Sequence, residues 1–454
     1  MRTLTVVAAV ESTVSVNPDA ADRRGVGTVV FVVFLDLLGF GIVIPILPFY
    51  VRSFGVSDVY IGLLAASYSL LQFGFAPVLG RLSDARGRRP VLVLSLLGSA
   101  VAWTAFGVGG SLAVLFAARM LAGAMGGNIA AAQAYIADVT PPEDRAGALG
   151  LVGAAFGLGF VFGPAVGGLF ASDAAVGLAR SVLPAAVPAT RFSLPSFAAA
   201  ASSLLAAGFA VRFLRETGAP KPAPRLPLSW PRRVRRVVAP TEADADAVRL
   251  RPFVLAYFLV SLAFSGVQVM FIPYVADVYG YSATQAAGLL AYVGVFGILN
   301  QGVIVGRLAK RVPVSVVATA GAAVLLVALA GLPFTPQIGR AVVPANAVVA
   351  PELVALLVAL PLLSFGNGLL SVGLTTLVST ATGADRQGSA FGVTQGAGSL
   401  GRTVGPPVMA ALYAAAAYWT PFVVGAALLV PVVVALIRIA SVPPSSPADP
   451  DRTN

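Results

Sequence analysis

The 454-residue chain contains no cysteine and no histidine, and only 11% of its residues are charged. The absence of cysteine and histidine excludes disulfides, thiolate nucleophiles, histidine-based triads, imidazole proton shuttles and nearly all zinc sites. An ordinary soluble domain has about 25% charged residues, whereas 57% of the residues here are apolar and the mean hydropathy is +0.88. These values exclude a water-soluble globule. We therefore expect a membrane protein whose chemistry uses carboxylates, arginines and small polar groups.

Motifs that support enzymatic catalysis are also missing. The sequence shows no nucleotide-binding loop, no cluster of metal ligands and no pair of nucleophile and base. The net charge of +11 would favour nucleic acid as the partner of a soluble protein, but here the positions of the charges matter more than their sum. We expect no enzymatic activity, no metal and no nucleic-acid partner; the expected partner is the lipid bilayer.

Twelve apolar stretches are long enough to cross a bilayer, whose apolar core of about 30 Å needs about 20 helical residues. In the first half of the chain they lie near residues 26–50, 59–80, 90–110, 112–136, 146–170 and 194–214. In the second half they lie near residues 252–276, 285–306, 312–333, 350–378, 388–414 and 419–440. The pattern predicts an all-α membrane protein with twelve transmembrane helices in two six-helix bundles, 26–215 and 251–440.

Basic residues in short loops predict the orientation of the helices, because such loops stay in the cytoplasm. Arginines and lysines concentrate at 81–89, at 307–311 and in the linker 216–250, which all lie on one side if the spans alternate. We therefore expect both termini and the linker in the cytoplasm, and a location in the plasma membrane. The Pro- and Arg-rich linker is predicted to be an unstructured tether. Residues 1–25 and 441–454 are predicted to be disordered tails; the early apolar run is too short for a signal peptide.

Short motifs recur in the two halves of the chain. Gly-Leu-Leu-Ala occurs at 62–65 and at 288–291, and Gly-Arg-Leu follows at the same spacing at 80–82 and at 306–308. Two similar six-helix halves are typical of secondary transporters, which bind substrate near the middle of the membrane and alternate access to it by rocking. The repeat favours a transporter, although a duplicated scaffold stays open as an interpretation.

The loop from Gly80 to Pro90, with the sequence Gly-Arg-Leu-Ser-Asp-Ala-Arg-Gly-Arg-Arg-Pro, is the most specific motif. Gly80 permits the close approach of a neighbour, and Gly87 permits a turn with positive φ. Asp84 is able to accept backbone N–H groups at a helix N-terminus or to pair with an arginine. Such a loop suits a charged latch between the two halves. The simpler interpretation is a basic cytoplasmic loop.

This loop resembles motif A of the major facilitator superfamily, and within it the chain is similar to drug:proton antiporters of the tetracycline-exporter type. The resemblance covers nearly the whole first half and weakens in the second. It implies a major facilitator fold, a monomer, a small-molecule substrate and export of drug-like compounds in exchange for protons. It also implies a cytoplasmic gate that stabilises the outward-facing state. The gate residues are Gly80, Asp84, Gly87, Arg88 and Arg89.

The fifth predicted span contains glycines at four-residue spacing, which fall on one helical face and let a neighbouring backbone approach closely. Pro164 removes a backbone hydrogen bond in the same span. The pattern resembles motif C of the superfamily, which marks antiporters. A packing face unrelated to the direction of transport is the alternative. The residues of this motif are Gly159, Gly163, Pro164, Gly167 and Gly168.

Two charged residues lie inside apolar spans of the first half. Arg119 resembles the arginine of motif B, and a buried arginine needs an acid or backbone carbonyls as its partner. The candidate acid is Asp36, alone among the nineteen acids in lying clearly inside a span. Burial favours the neutral form of a carboxyl group, whereas a nearby arginine favours its charged form. Competition between these two effects suits proton coupling.

Asp36 and Arg119 are predicted to lie at different depths in the membrane. At about 1.5 Å per residue, Arg119 lies about 10 Å further out than Asp36, so contact requires long side chains and tilt. One alternative is that Arg119 extends to the lipid headgroups. Another is that Asp36 accepts a purely structural hydrogen bond.

Arg402 is a third charge, near the middle of the eleventh span and without an obvious acid in the second half. Three roles are open for Arg402. It pairs with Asp36 of the first half, it faces the cavity and favours anionic substrates, or it bonds the backbone carbonyls freed by Pro406 and Pro407. Other polar side chains within the spans are candidates for lining a substrate cavity, although each suits a hydrogen bond between helices equally well. They are Tyr68, Gln72, Asn128, Gln133, Tyr257, Gln268, Tyr292, Asn300, Gln301, Asn367 and Gln395.

The chain departs from tetracycline exporters at several places. Those proteins also use membrane acids in the third and ninth spans and a histidine in the eighth, whereas this chain has Ala102 and Trp103 in the third span, no acid in the ninth and no histidine. These differences argue against a tetracycline–metal chelate as substrate and leave Asp36 to carry the coupling. The alternatives to proton-coupled export are a uniporter or symporter for a sugar or organic acid, and a non-transporting scaffold or sensor.

Overall fold

A computed structural model describes residues 18–126, 128–141, 144–217, 245–299, 311–344, 348–382 and 387–441. The regular elements of these residues are helices. In the first half they are α1 Pro18–Val43, α2 Leu47–Arg52, α3 Val59–Arg86, α4 Arg88–Val108, α5 Leu112–Met125, α6 Asn128–Val139, α7 Arg145–Phe170, α8 Asp173–Val182 and α9 Ser193–Phe213. In the second half they are α10 Ala245–Tyr279, α11 Ala283–Leu299, α12 Val314–Gly331, a 3-10 turn Leu332–Phe334, α13 Thr335–Val342, α14 Pro351–Ala381, α15 Gln387–Ala415 and α16 Thr420–Ser441.

Ten helices in the described ranges are long and apolar enough to cross a membrane. The other two predicted spans coincide with α11, a shorter apolar helix, and with α15. Arginine, two prolines and several glycines make α15 less apolar than its neighbours. Each of the twelve predicted spans therefore overlaps a helix, and the expected all-α membrane fold is confirmed.

Several boundaries differ from those predicted. The first helix begins at Pro18, inside the predicted tail 1–25, and α10 begins at Ala245, inside the predicted linker 216–250. Both extensions are polar but contain alanine and arginine, which favour helix, whereas the spans were located by apolar composition. The first span is interrupted between α1 and α2, where Pro45 lies in a turn and has no N–H to donate to a continuing helix. The remaining residues of the tails and linker lie outside the described ranges.

A glycine-lined crossing joins α1 to α7. A Cβ atom added to Gly163 would lie 2.6 Å from Cα of Gly41, and one added to Gly159 would lie 2.7 Å from Cβ of Leu37. Because no side chain fits at such distances, the two helices approach with backbone against backbone. The expected close approach on this face of α7 is therefore present, and its partner is the helix that carries Asp36.

Replacing Gly163 by leucine is expected to lower the stability of the folded protein by about 1–3 kcal/mol, the usual cost of overpacking. Gly153→Leu is the matched control, since Gly153 lies on the same helix with open space where a Cβ would go. Thermal unfolding in detergent compares the two variants. Equal melting temperatures would contradict a tight crossing at Gly163.

The two halves meet along two helix pairs, α3 with α15 and α7 with α11. We call the side of the molecule that carries Arg52 the Arg52 end and the opposite side the Arg88 end. A Cβ on Gly62 would lie 2.7 Å from Cβ of Ala410, and one on Gly168 would lie 2.7 Å from Cβ of Ala287. The halves are therefore tightly packed at the Arg52 end.

Toward the Arg88 end, the described residues of α3, α7 and α15 show no such close contacts with the other half. Glycines nearer that end have no described atom within 4 Å of an added Cβ; they are Gly74, Gly80, Gly147, Gly150, Gly153, Gly392 and Gly396. Within the described ranges, the halves therefore form a cleft that is closed at the Arg52 end and opens toward the Arg88 end.

Candidate functional site

Asp36 lies on α1 in the membrane and is partly buried. The side-chain amide nitrogen of Asn128 donates a hydrogen bond of 2.9 Å to Oδ2 of Asp36. Asn128 is the first residue of α6 and is only 4% exposed, so the end of α5 and the start of α6 fix the position of the donor. The carboxyl group has a neutral amide as its described hydrogen-bond partner.

Arg119 does not contact Asp36 in this structure. Among the described residues, no hydrogen bond or ion pair joins them, so the candidate pairing is not present. Arg119 is 5% exposed, and its Nε atom has no hydrogen-bond partner. The difference in depth along the membrane is the physical reason, because α5 carries the arginine well beyond the carboxyl group.

Aromatic rings surround the guanidinium group of Arg119 instead. Its Cζ atom lies 4.7 Å from the ring centroid of Tyr68, 5.6 Å from that of Phe40 and 5.8 Å from that of Trp103. We call these three residues the aromatic cage. Rings attract a cation through the negative charge of their faces, with about 0.5–2 kcal/mol each depending on desolvation. The arginine therefore keeps a stabilising environment without a carboxylate.

The aromatic cage was not predicted as a partner of Arg119, although the sequence shows an aromatic residue instead of an acid in the third span. Ala102 and Trp103 stand where the resemblance implies an acid in the third span, and Trp103 makes a cation–π contact with Arg119. Phe40 lies one helical turn from Asp36 on α1 and gave no separate signal. No described acid forms an ion pair with Arg119.

Polar residues near the aromatic cage join α3 to the α5–α6 break. The side-chain nitrogen of Gln72 donates to the backbone oxygen of Gly126 at 3.1 Å and lies 3.4 Å from the hydroxyl of Tyr68. Added Cβ atoms on Gly123 and Gly126 would overlap Tyr68, so glycine is required for this approach. The bonds from Gln72 to Gly126 and from Asn128 to Asp36 join different helices, which is the alternative we gave for these candidates, whereas the bond between Gln72 and Tyr68 lies within α3.

Arg402 lies at the middle of α15 and is exposed. Its Nη2 atom donates to Oγ of Ser399 at 3.0 Å, and no described carboxylate pairs with it. It does not reach Asp36. The hydroxyls of Tyr257 and Thr375 lie 3.0 Å apart, on α10 and α14, and belong to the same half.

The other cavity candidates are scattered. Gln133, Gln268 and Gln395 are exposed and Asn367 is partly buried. Tyr292 donates to the backbone oxygen of Leu357 and so bridges α11 and α14. The predicted residues Asn300 and Gln301 lie outside the described residues.

An ionic cluster lies at the Arg88 end. Gly87 has φ +100°, as predicted, and ends α3 immediately before α4 begins. Arg88 donates to Asp84 at 2.5 Å and to Asp138 at 2.9 Å. Arg89 donates to the backbone oxygen of Val211. All of these groups belong to the first half.

Two acids of this cluster were missed by the sequence analysis. Asp138 comes from the end of α6, and Glu216 follows α9. The carboxylate of Glu216 accepts hydrogen bonds from the backbone nitrogens of Arg88 at 2.6 Å and Arg89 at 3.2 Å, so it occupies the helix N-terminus that we considered for Asp84. Sequence gave no signal for Glu216, because its contact depends on how α9 packs against α4.

The expected latch between halves is not formed by these residues in the described part of the chain. Gly80 has open space where a Cβ would go, so its expected close approach is also absent. The opening at the Arg88 end is consistent with both observations, since no described residue of the second half lies against Gly80. The gate assignment implied by the resemblance stays a prediction for another conformation.

A different ionic cluster joins the halves at the Arg52 end. Arg52 binds both carboxylate oxygens of Asp58, with distances of 2.7 Å, and both of Asp277 on α10, at 2.7 and 2.8 Å. The hydroxyl of Tyr413 donates to Asp277 at 2.6 Å. We call these four residues the Arg52 latch. Burial lowers the pKa of Arg52, but hydrogen bonds to Asp58 and Asp277 outweigh it and hold the pKa above its ordinary value.

The Arg52 latch could not be found from the sequence. Arg52 and Asp277 are 225 residues apart, and each was interpreted as a loop or span-end charge. Only the packing of the halves brings them together. Bidentate pairing fixes geometry as well as charge, so this cluster holds the cleft closed at the Arg52 end.

Comparison with known proteins agrees with this architecture. The Major Facilitator Superfamily model matches residues 29–406. A tetracycline resistance protein, class C, of Escherichia coli is 32% identical over 412 residues, which cover 89% of this chain and 94% of the relative. Major facilitator superfamily domain-containing protein 10 of Mus musculus is 27% identical over 444 residues, covering 88% and 89%.

A solved structure shows the same fold. The crystal structure of the human organic anion transporter MFSD10 (TETRAN) aligns with a TM-score of 0.62 at 24% identity, covering 91% of this chain and 99% of that one. Together with the family match and the two packed sets of membrane helices, these comparisons show that the chain belongs to the major facilitator superfamily and is a transporter rather than an enzyme.

Proposed function

We propose that the chain exports small amphipathic or hydrophobic compounds from the cytoplasm in exchange for protons. One observation carries the proposal: Asp36 is a carboxyl group within a membrane helix whose described partner is the neutral amide of Asn128. An ionisable group in this setting is a functional-site hypothesis by default. Without a fixed cation it is able to gain and lose a proton as water reaches it.

The shape of the cleft supports this direction of transport. If the basic loops lie in the cytoplasm, the Arg88 end is the cytoplasmic side and the cleft faces inward. A compound in the cytoplasm or inner leaflet then has access to the site. Opening at the Arg52 end would release the compound outside and admit a proton. In this orientation both termini lie in the cytoplasm, and the protein resides in the plasma membrane. One chain contains the complete cleft, so a monomer is sufficient.

Relatives support export and leave the substrate open. The class C relative is by its name a tetracycline resistance protein, but this chain has Ala102 and Trp103 where such exporters are expected to have a third-span acid, and Trp103 packs on Arg119. We therefore propose a drug-like substrate other than a metal chelate. The single carboxyl group Asp36 takes the coupling role.

Transport in proteoliposomes tests the proposal. We expect a proton gradient with an acidic lumen to drive uphill uptake of at least one compound from a panel of lipophilic cations, neutral compounds and anions, and a protonophore to abolish it. Protein-free vesicles under the same gradient are the control, because weak bases accumulate in an acidic lumen unaided. Counterflow that is equally fast with and without the gradient, and never uphill, would identify a uniporter and contradict the proposal.

A further inference from the structure

We infer that Arg402 forms a binding site for the negatively charged group of the substrate, which makes the transported compound an amphipathic organic anion. This inference rests on the proposed function and specifies its substrate class. It selects one of the three roles that the sequence left open for this arginine.

The position of Arg402 on α15 directs it toward the cleft. Leu400, Val404 and Val408 are exposed apolar residues and form one stripe of the helix, as expected for a face against lipid. Arg402 lies about 200° around the helix from Leu400 and Val404, so it is on the other side. Pro406, one turn further along the same face, packs against Gly62 of α3. Arg402 thus lies one helical turn from this contact between the halves, on the side toward the Arg88 end.

The charge of Arg402 is not compensated within the described residues. A guanidinium group has five N–H donors, and the described hydrogen-bond acceptor of Arg402 is Oγ of Ser399. Of the nineteen acids in the chain, Asp36 is the one clearly inside a predicted span, and it is bonded to Asn128 instead. A cation at this depth is costly unless it is paired or faces water, so an incoming anion gains strongly from binding here.

The two membrane arginines differ in a way that separates structure from binding. Arg119 is 5% exposed and enclosed by the aromatic cage. Arg402 is exposed and has no ring over it among the described cation–π contacts. A ligand entering the cleft therefore reaches one guanidinium group and not the other.

Small and hydroxyl-bearing residues pack beside Arg402 on the side of α10. A Cβ added to Gly398 would lie 3.2 Å from Oγ of Ser261, 3.4 Å from Nη1 of Arg402 and 3.8 Å from Cδ1 of Tyr257. Because position 398 has no side chain, a cation, a hydroxyl and an aromatic ring lie close together there. Arginine binds the two oxygens of a carboxylate in a planar, bidentate manner, and the ring supplies an apolar surface for the body of an amphipathic ligand.

Three probes that share one naphthalene scaffold test the inference, one bearing a carboxylate, one a carboxamide and one an ammonium group. In proteoliposomes with an acidic lumen, the wild-type chain is expected to transport the carboxylate at least 10-fold faster than the other two. Arg402→Gln is expected to lower the transport rate of the carboxylate probe at least 10-fold and to leave the rate of the carboxamide probe unchanged. Arg438→Gln, which removes an exposed charge in the last turn of α16, is the matched control and should change neither.

The outcomes also separate this inference from the proposed function. A wild-type preference for the ammonium or carboxamide probe would overturn the anion site, as would an equal loss of all three rates in Arg402→Gln. Carboxylate transport that ignores the proton gradient would instead overturn proton coupling and leave the anion site standing. Should Arg402→Gln fold poorly, binding decides: the carboxylate probe is expected to raise the melting temperature of the wild-type chain and not that of Gly398→Val, and equal shifts would refute the site.

Discussion

Asp36→Asn is expected to abolish uphill, proton-driven transport while exchange of substrate across the membrane continues. Asparagine keeps the size of the side chain and is able to bond Asn128, but it takes up no proton, so the gradient has nothing to act on. The protein should stay folded, because the native partner is a neutral amide. Accumulation against a gradient and counterflow, both measured in proteoliposomes, separate the two activities.

A conservative control accompanies this variant. Asp173→Asn makes the same chemical change at an exposed residue paired with Arg191, outside the membrane helices, and should transport like the wild type. Uphill transport by Asp36→Asn at the wild-type rate, with the same response to pH, would show that another group carries the proton.

Arg52→Gln is expected to shift the protein toward a state that is open at the Arg52 end. Glutamine cannot pair with the carboxylates of Asp58 and Asp277, so two acids from different halves are left facing each other. Exposed ion pairs contribute little, but this one is bidentate on both sides and only 27% of the Arg52 side chain is exposed. We expect a loss of about 1–2 kcal/mol, which changes the ratio of the two states about 5–30-fold.

Spin labels measure that shift directly. The chain has no cysteine, so cysteines introduced at the exposed positions Ala186 and Ala416 are the only labelled sites. The distance distribution between them, from electron–electron resonance, should gain a longer component in Arg52→Gln. Arg191→Gln breaks an ion pair within the first half and is the control. Identical distributions for all three proteins would mean that the Arg52 latch does not hold the halves together.

Local patterns in the sequence predicted the fold well, because the bilayer imposes helix length and composition directly. Runs of apolar residues located the spans, and glycine spacing identified the face of α7 that contacts α1. Boundaries failed where polar helix formers extend a helix beyond the apolar run, as at Pro18 and Ala245. Such extensions are stabilised by the helix they continue and leave no apolar signal.

Contacts between distant charges were predicted poorly. The sequence predicted Asp36, Arg119 and Arg402 as membrane charges, and it suggested partners that the described residues do not show. Partner choice depends on depth, helix rotation and the conformation of the halves, none of which appears in a span-by-span count. The Arg52 latch and the contact of Glu216 with α4 exist only because separate helices pack side by side.

Under the proposed function, enclosure of the fourth-span arginine by rings limits the work that the transporter performs in each cycle. Tyr68, Phe40 and Trp103 surround the arginine where an acid would otherwise pair with it, so in the proposed function Asp36 is the group that loads the coupling proton in each cycle. One proton entering across 100 mV releases about 2.3 kcal/mol, which sustains about a forty-fold concentration ratio of an uncharged solute at about 1.4 kcal/mol per tenfold. For an uncharged compound, one proton driven by the membrane potential alone would thus sustain little more than one order of magnitude of export.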